Sequence, residues 1–271
     1  MQAPSERRAT KDDTPRGRRL SDQLPPALGG GEIIVLFQPQ VAMASGKIVG
    51  AEALARWRRP GKDEVGAERL FAAAKRADLL AAVSDEIHDA ALAGAVAWPA
   101  PLDTLRLSIN VTARDLARQG FAEALLARAT RHDFPADRLT IEVTEHDLIA
   151  DLAKAARVLA ALREGGCRIA LDDFGTGYSS LAYLKELPVD ALKLDARLTH
   201  DIEGTPRAQT VVKGVIEIAR ALGLIVVVEG IETERQRDLL AAAHADLYQG
   251  FLCAGPVSSD ALAALVMEVT A

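Results

Sequence analysis

The stretch LTIEVTEHDLIADLAKAARVLAALREGGCRIALDD, running from Leu139 to Asp173, decides the fold class. Its two ends, Leu139–Thr144 and Arg168–Asp172, are short apolar or β-branched runs, the pattern of strands covered on both faces. Between them Leu152, Ala156, Leu159 and Leu162 recur at helical spacing and predict a buried stripe, with Gly165-Gly166 as the stop. A strand, a helix and a second strand in this order make a unit of α/β architecture.

The alternation continues in both directions. Glu32–Gln40, Lys47–Trp57, Leu105–Val111, Ala191–Asp195, Ile225–Glu229 and Asp246–Leu252 also read as strands. Before the seventh, Thr205 can cap a helix and Pro206 suits its first turn. Val212, Val215, Ile218 and Leu222 are then expected to share a face before Gly223 ends it. Eight strands with intervening helices favour a (β/α)8 TIM-like barrel over a doubly wound sheet. Only a short turn near Ser45-Gly46 joins the first two strands, so a hairpin is predicted, with the first strand antiparallel.

With 271 residues, 49% hydrophobic and 26% charged, the chain can bury one such core. Residues 1–19 carry six basic and three acidic side chains with almost nothing apolar, and read as a disordered arm preceding a barrel domain over 20–271. Leu20–Leu28 reads as a short helix interrupted at Pro25-Pro26. Gly29-Gly30-Gly31 is a linker and not a phosphate loop, since no GKS/T follows. The net charge of −6 gives no support to binding of a nucleic-acid polymer, and an anionic substrate would need basic side chains or metal ions. No apolar run is long enough for a membrane span, and no secretory h-region is present. Cys167 and Cys253 form no CxxC, belong to opposite barrel ends and suit a reducing cytoplasm.

Polar residues interrupt these apolar strands at matching places. They are Glu52, Asn110, Glu142, Asp172-Asp173, Lys193, Glu229 and Gln249. The carboxyl ends of barrel strands converge at one mouth, so residues distant in sequence can meet there. Alternation groups Glu52 with Leu54 and Arg56, and Lys193 with Asp195. Five carboxylates in one pocket repel unless cations compensate them. Hard oxygen ligands, one amide and no suitably placed Cys or His favour Mg2+ or Mn2+, and an Asp-Asp pair can bridge two ions. Lys193 would then orient or deprotonate water, and Arg56 would bind a phosphate oxygen. Taken singly, each residue has a plainer reading: Lys193 could neutralise Asp195, Arg56 could be a surface cation like Arg58 and Arg59, and Gln249 could cap a loop. The joint pattern on so many strands outweighs these readings, because a packed barrel interior normally uses Val, Ile and Leu there.

The motifs that carry these residues resemble the EAL-domain cyclic-di-GMP phosphodiesterases over roughly residues 20 to 267. Glu52-Ala53-Leu54 stands in GKIVGAEALARW after Phe37-Gln38-Pro39. SIN (108–110), EVTE (142–145), DDFGTGYSSL (172–181), KLD (193–195), EGIE (229–232) and QGF (249–251) follow in order. The resemblance implies a barrel that hydrolyses one phosphodiester of cyclic di-GMP to linear pGpG. It implies that Glu52, Asn110, Glu142 and Asp172 hold one metal, and that Asp172, Asp173 and Glu229 hold or orient a second. It further assigns Lys193 as the general base or its support, with Gln249 beside the hydrolytic site. Gln38, Leu54, Arg56 and Asp195 would contact substrate. Glu145 would anchor the loop from Phe174 to Ser180, through which family members couple dimerisation to metal binding, so a homodimer is implied. The chain departs from the family pattern at Lys75, His146 and Val228 and lacks a proline before Phe71, none of which removes a candidate ligand. The five histidines form no HD or HxxxH arrangement, and no GGDEF, GxSxG or kinase HRD motif occurs. Two further readings are a non-catalytic cyclic-di-GMP receptor and an unrelated metal-dependent lyase or enolase-type barrel.

Overall fold

The structure, a computed structural model, describes residues 15–100, 102–149, 151–175 and 181–270. Nine strands are assigned: β1 Ile33–Ala42, β2 Ile48–Trp57, β3 Val65–Gly66, β4 Arg106–Asn110, β5 Leu139–Thr144, β6 Arg168–Phe174, β7 Ala191–Leu194, β8 Ile225–Val228 and β9 Leu247–Tyr248. Apart from β3 they follow the order β1-β9-β8-β7-β6-β5-β4-β2, and a β1–β2 pairing closes the barrel. All contacts from β2 through β4, β5, β6, β7, β8 to β9 are parallel, whereas β1 meets β9 antiparallel. The predicted barrel with its antiparallel first strand is therefore present. The hairpin arises where Gly46 turns at φ +68, and the Ala42 N–H donates to the Lys47 carbonyl at 2.9 Å.

The chain divides into two compact units. The larger, Val35–Leu54 with His88–Ala271, contains the barrel and one continuous apolar core. The side chains of Leu107, Ile141, Ile169, Leu192 and Val226 in successive strands are fully buried, which accounts for the near-continuous apolar reading of those runs. The smaller unit joins the described residues of Met1–Ile34 to Ala55–Ile87. Within it β3, absent from the sequence reading because it is two residues long, pairs with the end of β2.

Three expectations need correction. The helix Pro15–Ala27 takes in residues 15–19, read as arm, and runs unbroken through Pro25 and Pro26. Both prolines lie in its last turns, so few helical bonds remain to lose beyond them. Residues 1–14, the remainder of the predicted arm, lie outside the described residues. In the helix Pro206–Ala221, Thr205 caps as predicted, but the buried positions are Val212, Ile216 and Ala219. Ile218 and Leu222 are 40% and 49% exposed, so the stripe is rotated from the one read in the sequence. The eighth barrel strand is confined to Leu247–Tyr248 instead of Asp246–Leu252. No helix among the described residues is long and apolar enough to cross a membrane, and both cysteines are free.

Candidate active site

Parallel register brings the polar positions together. Asn110 lies opposite Glu142, and Thr144 opposite Asp172, so the carboxyl ends of β4, β5 and β6 stand level. Glu52 comes from β2, beside Ser108, and Lys193 from β7. Glu229 follows the end of β8, where its N–H donates to the Leu194 carbonyl at 3.0 Å. Gln249 follows β9, its N–H bound to the Val228 carbonyl at 2.8 Å.

The Lys193 ammonium is fully buried at the centre. Its Nζ lies 2.7 Å from Glu142, 2.8 Å from Glu229, 3.1 Å from Glu52 and 3.2 Å from Asp172. One positive charge thus faces four carboxylates. Burial alone would push the ammonium towards neutrality, but Asp172, Glu142, Glu229 and Glu52 together hold its pKa well above the usual lysine value. The carboxyls share that charge unequally. Burial, then Glu52, drives Glu142 well above the ordinary carboxyl range, and burial likewise raises Asp172. Glu229 is pushed by burial up to about 7. Burial works against the Glu52 carboxylate too, yet Lys193 and hydrogen bonds from Gln249 and Asn110 keep its pKa below the ordinary value. Those bonds are Asn110 Nδ2 to Glu52 Oε1 at 2.8 Å and Gln249 Nε2 to Glu52 Oε2 at 2.8 Å.

The acids form two overlapping groups whose ligand oxygens lie within 4.8 Å of one another: Glu52, Glu142 and Asp172, and then Asp172, Asp173 and Glu229. Adjacent strand residues normally face opposite ways. Asp173 escapes that rule because it adopts φ +56 where the β6–β7 register shifts between Leu171 and Phe174. Asp tolerates this left-handed conformation better than a branched residue would. Burial, followed by Asp172 and Asp195, raises the Asp173 carboxyl.

This donor set fits hard divalent cations. It offers carboxylate oxygens with the Asn110 amide adjacent, and five acids are matched by one ammonium, leaving negative charge for cations to offset.

The EAL domain family model matches residues 21–256. The chain belongs to the EAL domain family. A protein of Pseudomonas aeruginosa named a cyclic di-GMP phosphodiesterase is 39% identical over 91% of this chain and 42% of its own length. A MucR phosphodiesterase solved as its c-di-GMP complex superimposes with a TM-score of 0.84 at 29% identity, covering 90% of this chain and 99% of that one. Klebsiella pneumoniae BlrP1, solved as a calcium/cy-diGMP complex, gives a TM-score of 0.77 at 31% identity over 86% of this chain and 58% of its own. The chain spans less than half the length of the first curated relatives it matches, at 42%, 30% and 31%.

The other residues predicted from sequence distribute unevenly around this EAL site. Gln38 accepts from Gln249 Nε2 at 3.0 Å and donates to the Ala254 carbonyl at 3.3 Å. Leu54 is half-buried in β2. Arg56 belongs to the smaller unit, where Glu64 lies 3.6 Å away and the Ala55 carbonyl accepts from it at 2.8 Å. Asp195 does not continue the β7 alternation, because the strand ends at Leu194. It caps the helix Ala196–Thr199, accepting from the Arg197 N–H at 2.8 Å and its Nε at 2.9 Å. Burial opposes its ionisation, but the Arg197 bonds hold Asp195 below the usual carboxylate range. Glu145 is buried at the start of the helix Glu145–Ile149. Residues 176–180, most of the loop it was expected to anchor, lie outside the described residues. Sequence reading missed Gln40 and Ser108. Gln40 Nε2 donates to Gln249 Oε1 at 3.3 Å and to Ser108 Oγ at 3.4 Å, forming the floor beneath Gln249. Each is two residues from a named site position, Gln38 or Asn110, so strand alternation was the signal available.

Proposed function

We propose that this EAL domain hydrolyses one phosphodiester bond of cyclic di-GMP to linear 5′-pGpG, with two Mg2+ or Mn2+ ions per site. The observation that carries the reading is the pair of acid groups sharing Asp172 around a buried lysine. The names of the similar proteins direct it to this substrate. Glu52, Asn110, Glu142 and Asp172 would hold one ion, and Asp172, Asp173 and Glu229 the other. Such ions supply Lewis acidity and charge neutralisation at the scissile phosphate.

The chain's own residues do the rest. Gln249 and Asn110 fix the rotamer of Glu52 by donating to its two oxygens. Gln40 and Gln38 in turn fix Gln249. Lys193 holds its proton while four carboxylates face it, and can accept or relay one only when their charge is offset. Gln38, Leu54, Arg56 and Asp195 are assigned to substrate contact, and Glu145 to anchoring the loop after Phe174. The reading extends to a homodimer working in the cytoplasm.

The test incubates purified protein with cyclic di-GMP and either Mg2+ or Mn2+ and separates the products chromatographically. Formation of pGpG is expected. A folded sample yielding none under either metal overturns the assignment, and tight binding without turnover makes the domain a receptor instead.

A further inference from the structure

A second polar pocket lies in the smaller unit, built on the sequence Arg59-Pro60-Gly61-Lys62. Pro60 and Gly61 occupy the two central positions of a tight turn, Gly61 at φ +67, and the Lys62 N–H donates to the Arg59 carbonyl at 3.1 Å. That turn type takes proline second and glycine third, and it brings its first and last residues within about 7 Å. Two cations are therefore set side by side. With Arg69 from the helix Ala67–Arg76, and Gln23 and Leu20 from the helix Pro15–Ala27, they line a pocket of 480 Å3.

Three basic side chains meet one acid there, Asp63, in a chain of net charge −6. None of the three has an ion pair among the described residues. Arg59 Nη2 donates to the Asp63 backbone carbonyl at 3.0 Å, and its guanidinium lies 5.5 Å from the centroid of the Trp57 ring. The Trp57 ring is itself held by Glu32, which accepts from Nε1 at 3.0 Å. Arg59 Nε is buried without an acceptor. Lys62 Nζ donates only to the neutral Gln23 Oε1, at 2.9 Å. Nearby Glu64 is already engaged by Arg56 and Arg58, at 3.6 and 3.5 Å. A buried N–H on a charged group without a partner is costly, and an anion in the pocket would satisfy it. The volume falls within the span of small-molecule sites, about 300–1,000 Å3. Leu20 is the one apolar wall, which suits a small, highly polar ligand.

We propose that this pocket is a second ligand site, which binds a small soluble phosphate ester without a divalent metal. The full chain, in chelator, is titrated calorimetrically with GMP and with inorganic pyrophosphate. Saturable one-to-one binding of at least one probe is expected. Lys62→Gln and Arg69→Gln should each weaken it roughly tenfold or more, since each removes a charge-assisted bond. Thermal stability and cyclic di-GMP turnover in probe-free buffer should stay unchanged. Glu52→Ala should bind the probe as the parent does, because in chelator the acidic cluster of the barrel repels phosphate. The proposal is overturned if neither probe saturates at millimolar concentration, if both Gln variants bind like the parent, or if Glu52→Ala abolishes binding. Capture of phosphatidylglycerol vesicles, with neither soluble probe bound, would move the phosphate to a lipid and also overturn it.

Discussion

Replacing Lys193 by Met keeps most of the side-chain volume but removes the single charge that faces Glu52, Glu142, Asp172 and Glu229. Breaking a buried pair from one side costs about 3–5 kcal/mol, because the partner is left charged and dry. At about 2–4 °C per kcal/mol for a chain of this size, the metal-free variant should melt roughly 6–20 °C below the parent. The loss should depend on pH in a definite direction. Glu142, Asp172 and Glu229 already have raised pKa values, and loss of the ammonium raises them further. Between the ordinary carboxyl value and the raised one, the folded state holds more protons than the unfolded state. Stability therefore falls as pH climbs through that window. The deficit should be largest at about pH 8 and shrink towards about pH 5.5, where the acids can be neutral. Scanning calorimetry in chelator at both pH values measures it. A variant that melts with the parent at the higher pH, or whose deficit does not shrink on acidification, would refute the charge argument.

Other expectations concern the same cluster. Glu52→Ala removes the acceptor shared by Asn110, Gln249 and Lys193, and should cut pGpG formation by roughly a hundredfold or more while far-ultraviolet circular dichroism is retained. Glu229, with a value of about 7, must be deprotonated to coordinate, so metal affinity should rise from about pH 6 to 8 with proton release. Titration calorimetry in two buffers of different ionisation enthalpy counts those protons, and a pH-independent affinity would contradict the assignment of Glu229. A Cβ at Gly250 would collide with the backbone of Ile231, so Gly250→Ala should shift the neighbouring Gln249 and lower turnover at least tenfold. A kinetic comparison with the parent tests this, and parent-like turnover would show that the backbone gives way without cost.

Legibility from sequence varied with how local the cause was. The Thr205-Pro206 cap depends on a few neighbouring residues, and it is present as read. The rotated stripe of the helix Pro206–Ala221 was not legible, because Val215, Ile218 and Leu222 are as apolar as the residues actually buried, and packing alone selects among them. The proline pair at 25–26 was misread for a related reason. Propensity disfavours proline in a helix interior, but its penalty is small where the helix is about to end. At the site, alternation grouped Lys193 with Asp195, yet β7 ends between them. Lys193 enters the barrel while Asp195 turns to cap a helix.

The residue types at strand ends determined by themselves that this was an α/β barrel with an acidic, lysine-bearing mouth, because strand periodicity and charge repulsion are properties of the chain. The order of Glu52, Asn110, Glu142, Asp172, Lys193 and Glu229 along it carried the family motifs as well. Only the tertiary structure decided that Lys193 would meet four carboxylates at once and that the consecutive acids Asp172 and Asp173 would serve one cluster. Both outcomes depend on inter-strand register, and the second also on a left-handed residue at a register shift. Closure of the barrel sets such features, and they leave no trace in the pattern of any single strand.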